Sequence, residues 1–187
     1  YKGQATGSKP RTIPNIDVDE KIIMTSDGVD HMKSFPKSMV IVGAGVIGCE
    51  YATIFSNFGK TKVYLIDRSD RILPFEDSDI SDMISKNLKE KGVTIHNKAQ
   101  LERLEVKDKE VEYELSYKDG KKEVIRVEKA LLSVGRRLCI DGLEMENAGV
   151  TLSKRGVHIG DINTQTNVPN IYVCLLYTSP SPRDGLL

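Results

Sequence analysis

Near the middle of the chain stands Gly43-Ala44-Gly45-Val46-Ile47-Gly48, three glycines in the pattern G-x-G-x-x-G. In a turn between a strand and a helix, the first glycine permits a tight bend. The second lets the backbone approach a pyrophosphate, and the third lets the helix lie close to the sheet. A helix that starts there also presents free N–H groups and the positive end of its dipole to an anion. Asp67 follows Gly48 by 19 residues, the interval at which a carboxylate can accept hydrogen bonds from the adenosine ribose. The chemistry implied is binding of a dinucleotide, with Gly43, Ala44, Gly45, Val46, Ile47 and Gly48 at the phosphates and Asp67 at the ribose. A carboxylate at that point repels a 2′-phosphate, so NAD is favoured over NADP. Arg68 and Arg71 follow at once, and two roles stay open to them: solvated loop charge or phosphate contact.

A lone G-x-G-x-x-G is a weak signal, so its surroundings decide. Met39-Val40-Ile41-Val42 is a short continuous apolar run, the signature of a strand buried on both faces. After the glycines, Val46, Ile47, Ala52, Ile54 and Phe55 predict a helix that is apolar on more than one side, with Gly59 as its stop. Val63-Tyr64-Leu65-Ile66 reads as a second buried strand ending on Asp67. Asp77 or Ser78 can cap a further helix, whose Ile80, Met83, Ile84 and Leu88 form a stripe at helical spacing that should face a core. Gly92 ends it, and Val93-Thr94-Ile95-His96 predicts a third parallel strand. From Leu101 the period changes to two. "LERLEV", "VEYELSY" and "KEVIRVE" alternate apolar and polar residues around a Lys118-Asp119-Gly120-Lys121 turn, which predicts a three-stranded antiparallel meander. Lys129 to Val134 is one more buried strand, closing on Gly135-Arg136-Arg137. The fold expected is α/β: a Rossmann-like, mostly parallel sheet with an antiparallel three-stranded meander on one face.

Composition narrows the classes of function. The chain has 187 residues, 39% hydrophobic and 29% charged, with 27 basic and 27 acidic side chains. A net charge near zero argues against a general polyanion binder, so no nucleic acid is expected as a partner. No apolar run approaches the roughly 20 residues of a spanning helix, so no membrane is expected either. No secretory leader is visible, although the chain does not begin with Met. Cys49, Cys139 and Cys174 lie far apart, which gives neither a disulfide framework nor a zinc or C-x-x-C redox motif. Reduced thiols of cytoplasmic type are the expectation. His96 reads as a strand-end histidine rather than a catalytic one.

These motifs resemble the pyridine nucleotide–disulfide oxidoreductases, flavoproteins with two dinucleotide-binding domains. Ala5-Thr6-Gly7-Ser8 is similar to the family's A-T-G-S, where the chain passes the flavin, which implies FAD contacts at Thr6, Gly7 and Ser8. Gly43 to Gly48 with Glu50 resembles its NAD fingerprint, G-x-G-x-x-G-x-E. "DRILPFEDSDIS" is similar to the stretch after the ribose-binding acid, and "LLSVGRR" to the return strand that sets Gly135 against NAD. The run from Gly142 to Val173 resembles re-entry into the FAD-binding domain. Within the family, "GAGVIGCEYATIF" is similar to dihydrolipoamide dehydrogenases and to soluble pyridine nucleotide transhydrogenases. The resemblance implies FAD between two nucleotide-binding domains, hydride transfer between nicotinamide and flavin, and a homodimer. Glu50 would sit near the nicotinamide–flavin junction, paired with a lysine outside this chain; a first-turn carboxylate stabilised by the helix dipole is an equally open and compatible role. Cys49 belongs to the helix and is not the family's redox cysteine. One departure is Leu138-Cys139-Ile140, where the family has Pro-Asn-Thr or close to it.

The ends read differently. "CLLYTSPSPRD" after Val173 resembles a translated sequencing adapter, and "YKGQ" at the start resembles the adapter's other end. The organisation expected is therefore residues 1–4 and 174–187 as appended sequence, 5–34 as the end of an FAD-domain segment and connector with one short strand around Lys21 to Met24, 35–137 as the NAD(P)-binding domain, and 138–173 as a truncated return into the FAD domain. Such a fragment would hold an NAD site. It would lack the redox cysteine pair, the dimerisation domain and any catalytic residue of its own. Two rivals are a dehydrogenase with a Rossmann domain alone and a non-enzymatic NAD-sensing domain. The first should carry a Tyr-x-x-x-Lys or a His–Asp pair after the fingerprint, and neither is visible.

Overall fold

The computed structural model describes residues 6–153, 156–157 and 165–172. The segments expected to be appended sequence, 1–4 and 174–187, lie outside the described residues, as do Ala5 and Cys174. The elements in chain order are β1 (Ser8–Pro10), β2 (Ile23–Met24), α1 (Ser26–Val29), β3 (Ser38–Val42), α2 (Val46–Asn57), β4 (Lys62–Ile66), α3 (Ser78–Glu90) and β5 (Thr94–His96). They continue with β6 (Gln100–Lys107), β7 (Glu110–Ser116), β8 (Lys122–Val127), β9 (Lys129–Leu132), β10 (Arg136–Leu138), β11 (Leu152–Ser153) and β12 (Gly156–Val157). Pro10–Arg136 forms one compact unit, and the flanking segments group as a second. In the second, β11 and β12 pair as an antiparallel hairpin.

The larger unit is α/β. Its sheet runs in the order β2-β9-β3-β4-β5, with every neighbouring pair parallel. Strand β3 is central: Ile41 lies opposite Leu65 on one side and Leu131 on the other. The continuous apolar run in β3 follows from burial of both faces. Met39 and Ile41 point into a core shared with Ala52 and Phe55 of α2 and Leu88 of α3. Val40 and Val42 point the other way, into a core shared with Val111, Tyr113 and Leu115 of β7 and with Val127. Ile41, Leu65 and Leu131 are fully buried, each contributing about 1.5–3 kcal/mol of transfer free energy.

The meander β6-β7-β8 covers that second face, as the period-two pattern predicts. The β7–β8 turn has Gly120 at φ +83°, where the sequence places it. The β6–β7 turn uses Asp108 and Lys109, both left-handed at φ +53° and +68°. A two-residue hairpin of this kind matches the strand twist even without a glycine.

The one short strand expected around Lys21 to Met24, in the connector between Ala5 and Pro36, is β2, which joins the edge of the main sheet beside β9. One detail differs from the sequence reading. The stripe on α3 meets a core through Leu88, which is buried, and Ile84, which is partly buried, whereas Ile80 is 50% and Met83 68% exposed. Ile80, Ile84 and Leu88 instead border an open groove of about 1050 Å³ together with Val46, Ile47 and Ile54 of α2. The second apolar side of α2 and the upper part of the α3 stripe are thus one surface, and helical periodicity alone does not reveal what covers it.

Candidate functional site

The glycine turn between β3 and α2 is held from below by the sheet. Gly43 has φ +103° and donates its N–H to the Ile66 carbonyl at 2.9 Å. A Cβ there would meet the Ser133 carbonyl oxygen at 2.5 Å, and a Cβ on Gly48 would drive into the Gly43 carbonyl. Glycine is therefore required by the protein's own packing at both positions. Gly45 is different. Its φ is −77°, which any residue adopts, and a Cβ there would meet nothing within 4 Å. The space over Gly45 is open.

Gly45 caps α2 without a side-chain hydrogen bond, and no acidic residue occupies the first turn. The N–H groups at the start of a helix have no partner within the helix, so the positive end of α2 faces the turn with no carboxylate from its own first turn beside it. Val46 is 48% exposed at this end. Ile47 is partly exposed beside it, and Ala44 is fully buried.

Asp67 lies one residue past β4 and reaches back across the turn. Its Oδ2 accepts the Ala44 N–H at 2.7 Å, and its Oδ1 accepts the Ser69 N–H at 2.8 Å. The backbone of Asp67 is fixed as well: its N–H donates to the His96 carbonyl, and its carbonyl accepts the Ala99 N–H, both at 3.0 Å. Each carboxylate oxygen keeps a second lone pair, so the side chain can order the turn and still accept ribose hydroxyls. A cavity of about 330 Å³ opens beside it, lined by Ile13, Val42, Gly43, Ile66, Asp67, Arg68, Ser69, Ala99 and Leu101. An apolar wall with one carboxylate at its mouth suits the adenosine end of a dinucleotide.

Sequence reasoning named Gly43, Asp67 and Arg68 of this lining and missed Ile13, Ser69, Ala99 and Leu101. They come from three separate stretches, and no local pattern marks them as the wall of one cavity. It also missed Ser133, at the end of β9. The Ser133 hydroxyl lies 3.0 Å from the Val42 carbonyl and 2.8 Å from the Gly43 carbonyl, and it can donate to either. The only trace of this in the sequence is its place just before Gly135.

The structure separates the two arginines. Arg68 is exposed at the cavity mouth. Arg71 is engaged: Nη2 donates to the Pro74 carbonyl at 3.1 Å and the Glu76 carbonyl at 2.9 Å, and Nη1 to Ser81 Oγ at 3.5 Å. Gly135 has φ +103°, and its carbonyl accepts the Arg11 N–H at 2.9 Å. Glu50 is exposed on α2 and borders the groove shared with α3; because α2 starts at Val46, it lies past the first turn and is not the first-turn carboxylate that the sequence suggested. Cys49 is buried with Sγ 3.5 Å from the Ala44 carbonyl; burial, with Asp67 nearby, pushes its thiol up to about 12. A thiol so disfavoured as thiolate is structural. His96 sits outside the cavity lining. Its Nδ1 lies 2.7 Å from the Tyr117 hydroxyl, and burial lowers its pKa. Thr6, Gly7 and Ser8 are exposed around β1, where the Gly7 carbonyl accepts the Cys139 N–H at 3.0 Å. Among the described residues, no helix is long and apolar enough to cross a membrane.

The chain is similar to known proteins along most of its length. The chain is 37% identical over 171 residues to a dihydrolipoyl dehydrogenase of Bacillus subtilis, a match covering 91% of this chain and 36% of that protein. It is 40% identical over 168 residues to the soluble pyridine nucleotide transhydrogenase of Pseudomonas fluorescens, covering 90% of this chain and 35% of that protein. Among solved structures, the HOCl-induced flavoprotein disulfide reductase RclA from Escherichia coli superposes with a TM-score of 0.73 at 30% identity, over 90% of this chain and 38% of that one. The chain therefore spans only 36% and 35% of the length of these two curated relatives. With residues 4–174 matching its family-wide pattern, the chain belongs to the pyridine nucleotide-disulphide oxidoreductase family.

Proposed function

We propose that this chain is the NAD-binding part of an FAD-dependent oxidoreductase, with residues 35–137 as the NAD(P)-binding domain, 5–34 as the end of an FAD-domain segment and the connector leading from it, and 138–173 as a truncated return into the FAD-binding domain. In the longer protein the nicotinamide and the flavin supply the hydride chemistry. The residues of this chain bind and orient. The glycine turn and the start of α2 receive the pyrophosphate, Asp67 takes the adenosine ribose, and Ile13, Ala99 and Leu101 receive the adenine against an apolar wall. Gly135 lies toward the nicotinamide half, and Glu50 near its junction with the flavin. Thr6, Gly7 and Ser8 lie along the flavin. NAD is favoured over NADP because Asp67 stands where a 2′-phosphate would go and Arg71 is committed to its own loop.

The electron acceptor in the longer protein is a disulfide of lipoamide type. The second reading is return of the hydride to another nicotinamide, which the identity to a soluble transhydrogenase supports. A cytoplasmic homodimer goes with either.

The observation that carries the nucleotide assignment is the open space at Gly45, where nothing in the protein itself requires a glycine. Gly45→Ala should leave urea stability within about 1 kcal/mol of the parent, the scale of a changed helix cap. NADH affinity, read by fluorescence titration, should fall about tenfold or more. Unchanged affinity would remove the pyrophosphate from this turn and overturn the reading.

A further inference from the structure

A backbone hydrogen bond ties loop 68–77 to the glycine turn. The Leu73 N–H donates to the Ala44 carbonyl at 2.8 Å. Ala44 is the residue whose own N–H is held by Asp67 Oδ2 at 2.7 Å. Its peptide groups are thus fixed from both sides, by the ribose acid and by the loop that follows it.

Leu73 is an unusual residue to find there. It is buried, yet its φ is +47°, a left-handed conformation rarely taken by a residue with a branched side chain. Something must hold it. Its carbonyl accepts the Ser81 hydroxyl at 3.0 Å and the Glu76 N–H at 3.0 Å. Ser81 is fully buried in the first turns of α3. Arg71 closes the loop by donating to the Pro74 and Glu76 carbonyls and toward Ser81 Oγ. Ser81 lines no part of the nucleotide cavity. Its burial and its hydroxyl serve Leu73.

We propose that Ser81 and Arg71 are positioning residues for the dinucleotide site, locking Leu73 so that its N–H buttresses the glycine turn at Ala44. This rests on the nucleotide assignment above and adds its mechanical support. Strained conformations persist where surrounding structure over-determines them, often beside functional turns. The buttress orders the turn before a ligand arrives, so less ordering is left for binding to supply. Arg71 acts through the loop, not on a phosphate.

The test uses the full chain and the variants Ser81→Ala and Arg71→Gln, the second keeping bulk and polarity. Amide hydrogen exchange without ligand reads the buttress directly. Exchange at Leu73 and Ala44 should rise about fivefold, the effect of losing one net hydrogen bond, while Ile41 and Leu65 in the sheet stay unchanged. NADH and NADPH titrations should then weaken in equal proportion. Unchanged exchange at Leu73 and Ala44 in both variants overturns the proposal. So does a loss confined to NADPH in Arg71→Gln, which would make Arg71 a phosphate contact. If the parent chain bound neither nucleotide while both amides responded, the nucleotide assignment would fail and the buttress would stand.

Discussion

Asp67 holds two backbone N–H groups with one carboxylate, and the structure shows why an amide is a poor replacement. Both oxygens accept backbone N–H groups, from Ala44 and from Ser69. Asparagine offers one oxygen and one NH2, so one of those N–H groups would face another donor. Asp67→Asn should therefore lower urea stability by about 1–3 kcal/mol, the cost of a partly buried donor left unmet, and weaken NADH binding as well. Calorimetry and unfolding on the same variant check both at once; weaker binding with unaltered stability would mean that the carboxylate orders nothing in the free protein. Asp67 and the glycines were legible in the sequence because each sits at a fixed interval along the chain and each interval has a physical cause. Ile13, Ala99 and Leu101 were not, because folding alone brings these apolar residues to one wall. Arg71 was ambiguous for a similar reason: a loop arginine acquires a role only once the carbonyls around it are placed.

At the scale of elements, the meander shows how alternation buries one face and charges the other. On β7, Val111, Tyr113 and Leu115 enter the core, and Glu112 points outward. It is nonetheless only 8% exposed, roofed by Lys107 Nζ at 2.7 Å, Arg103 Nη2 at 2.8 Å and Arg126 Nε at 2.9 Å. Hydrogen bonds from Lys107, Arg103 and Arg126 push its carboxyl down from an ordinary 4.5 to about 2. A depressed carboxylate pKa adds stability that is fully present above the unfolded value and is lost as pH falls through the folded one. The contribution of Glu112 should thus fade between pH 4.5 and about 2. Unfolding midpoints for Glu112→Gln should change less across that window than those of the parent; parallel curves would show that the three cations do not stabilise the carboxylate. The period-two pattern that forecast these strands was enough to place Glu112 outside the core. It held no sign of the cations, which come from β6 and β8. The left-handed Asp108–Lys109 turn went unread because neither residue is glycine. The α3 stripe was read correctly as a face, but the pattern did not say that its upper half borders an open groove.

At the scale of the molecule, the unit Pro10–Arg136 begins well before the fingerprint strand, and the reason lies in residues 11–25. Asp19 Oδ1 accepts the N–H groups of Lys21, Ile22 and Ile23 at 2.9, 2.7 and 3.0 Å. Burial pushes that carboxyl up, and the backbone donors outweigh it, so its pKa is lowered. Glu20 accepts both the N–H and the hydroxyl of Thr25 at 2.8 Å. These two acids set a turn that delivers Ile23 and Met24, 2% and 0% exposed, to the sheet edge beside Ala130 and Leu131. The same stretch supplies Ile13 to the cavity wall and the Arg11 N–H to the Gly135 carbonyl. A segment without helical or strand period is therefore part of both the core and the site. Cutting the chain at Ser34, where its periodicity begins, should remove both contributions. Pro10–Arg136 should unfold in a single transition and bind NADH within about twofold of the whole chain. Ser34–Gly142 should lose roughly 3–6 kcal/mol, the transfer free energy of two buried side chains, together with most of its NADH affinity. Urea unfolding followed by tyrosine fluorescence, with titrations on the same samples, separates the cases. If Ser34–Gly142 proved as stable as Pro10–Arg136 and bound equally well, β2 and Ile13 would be ornaments on a sheet complete without them.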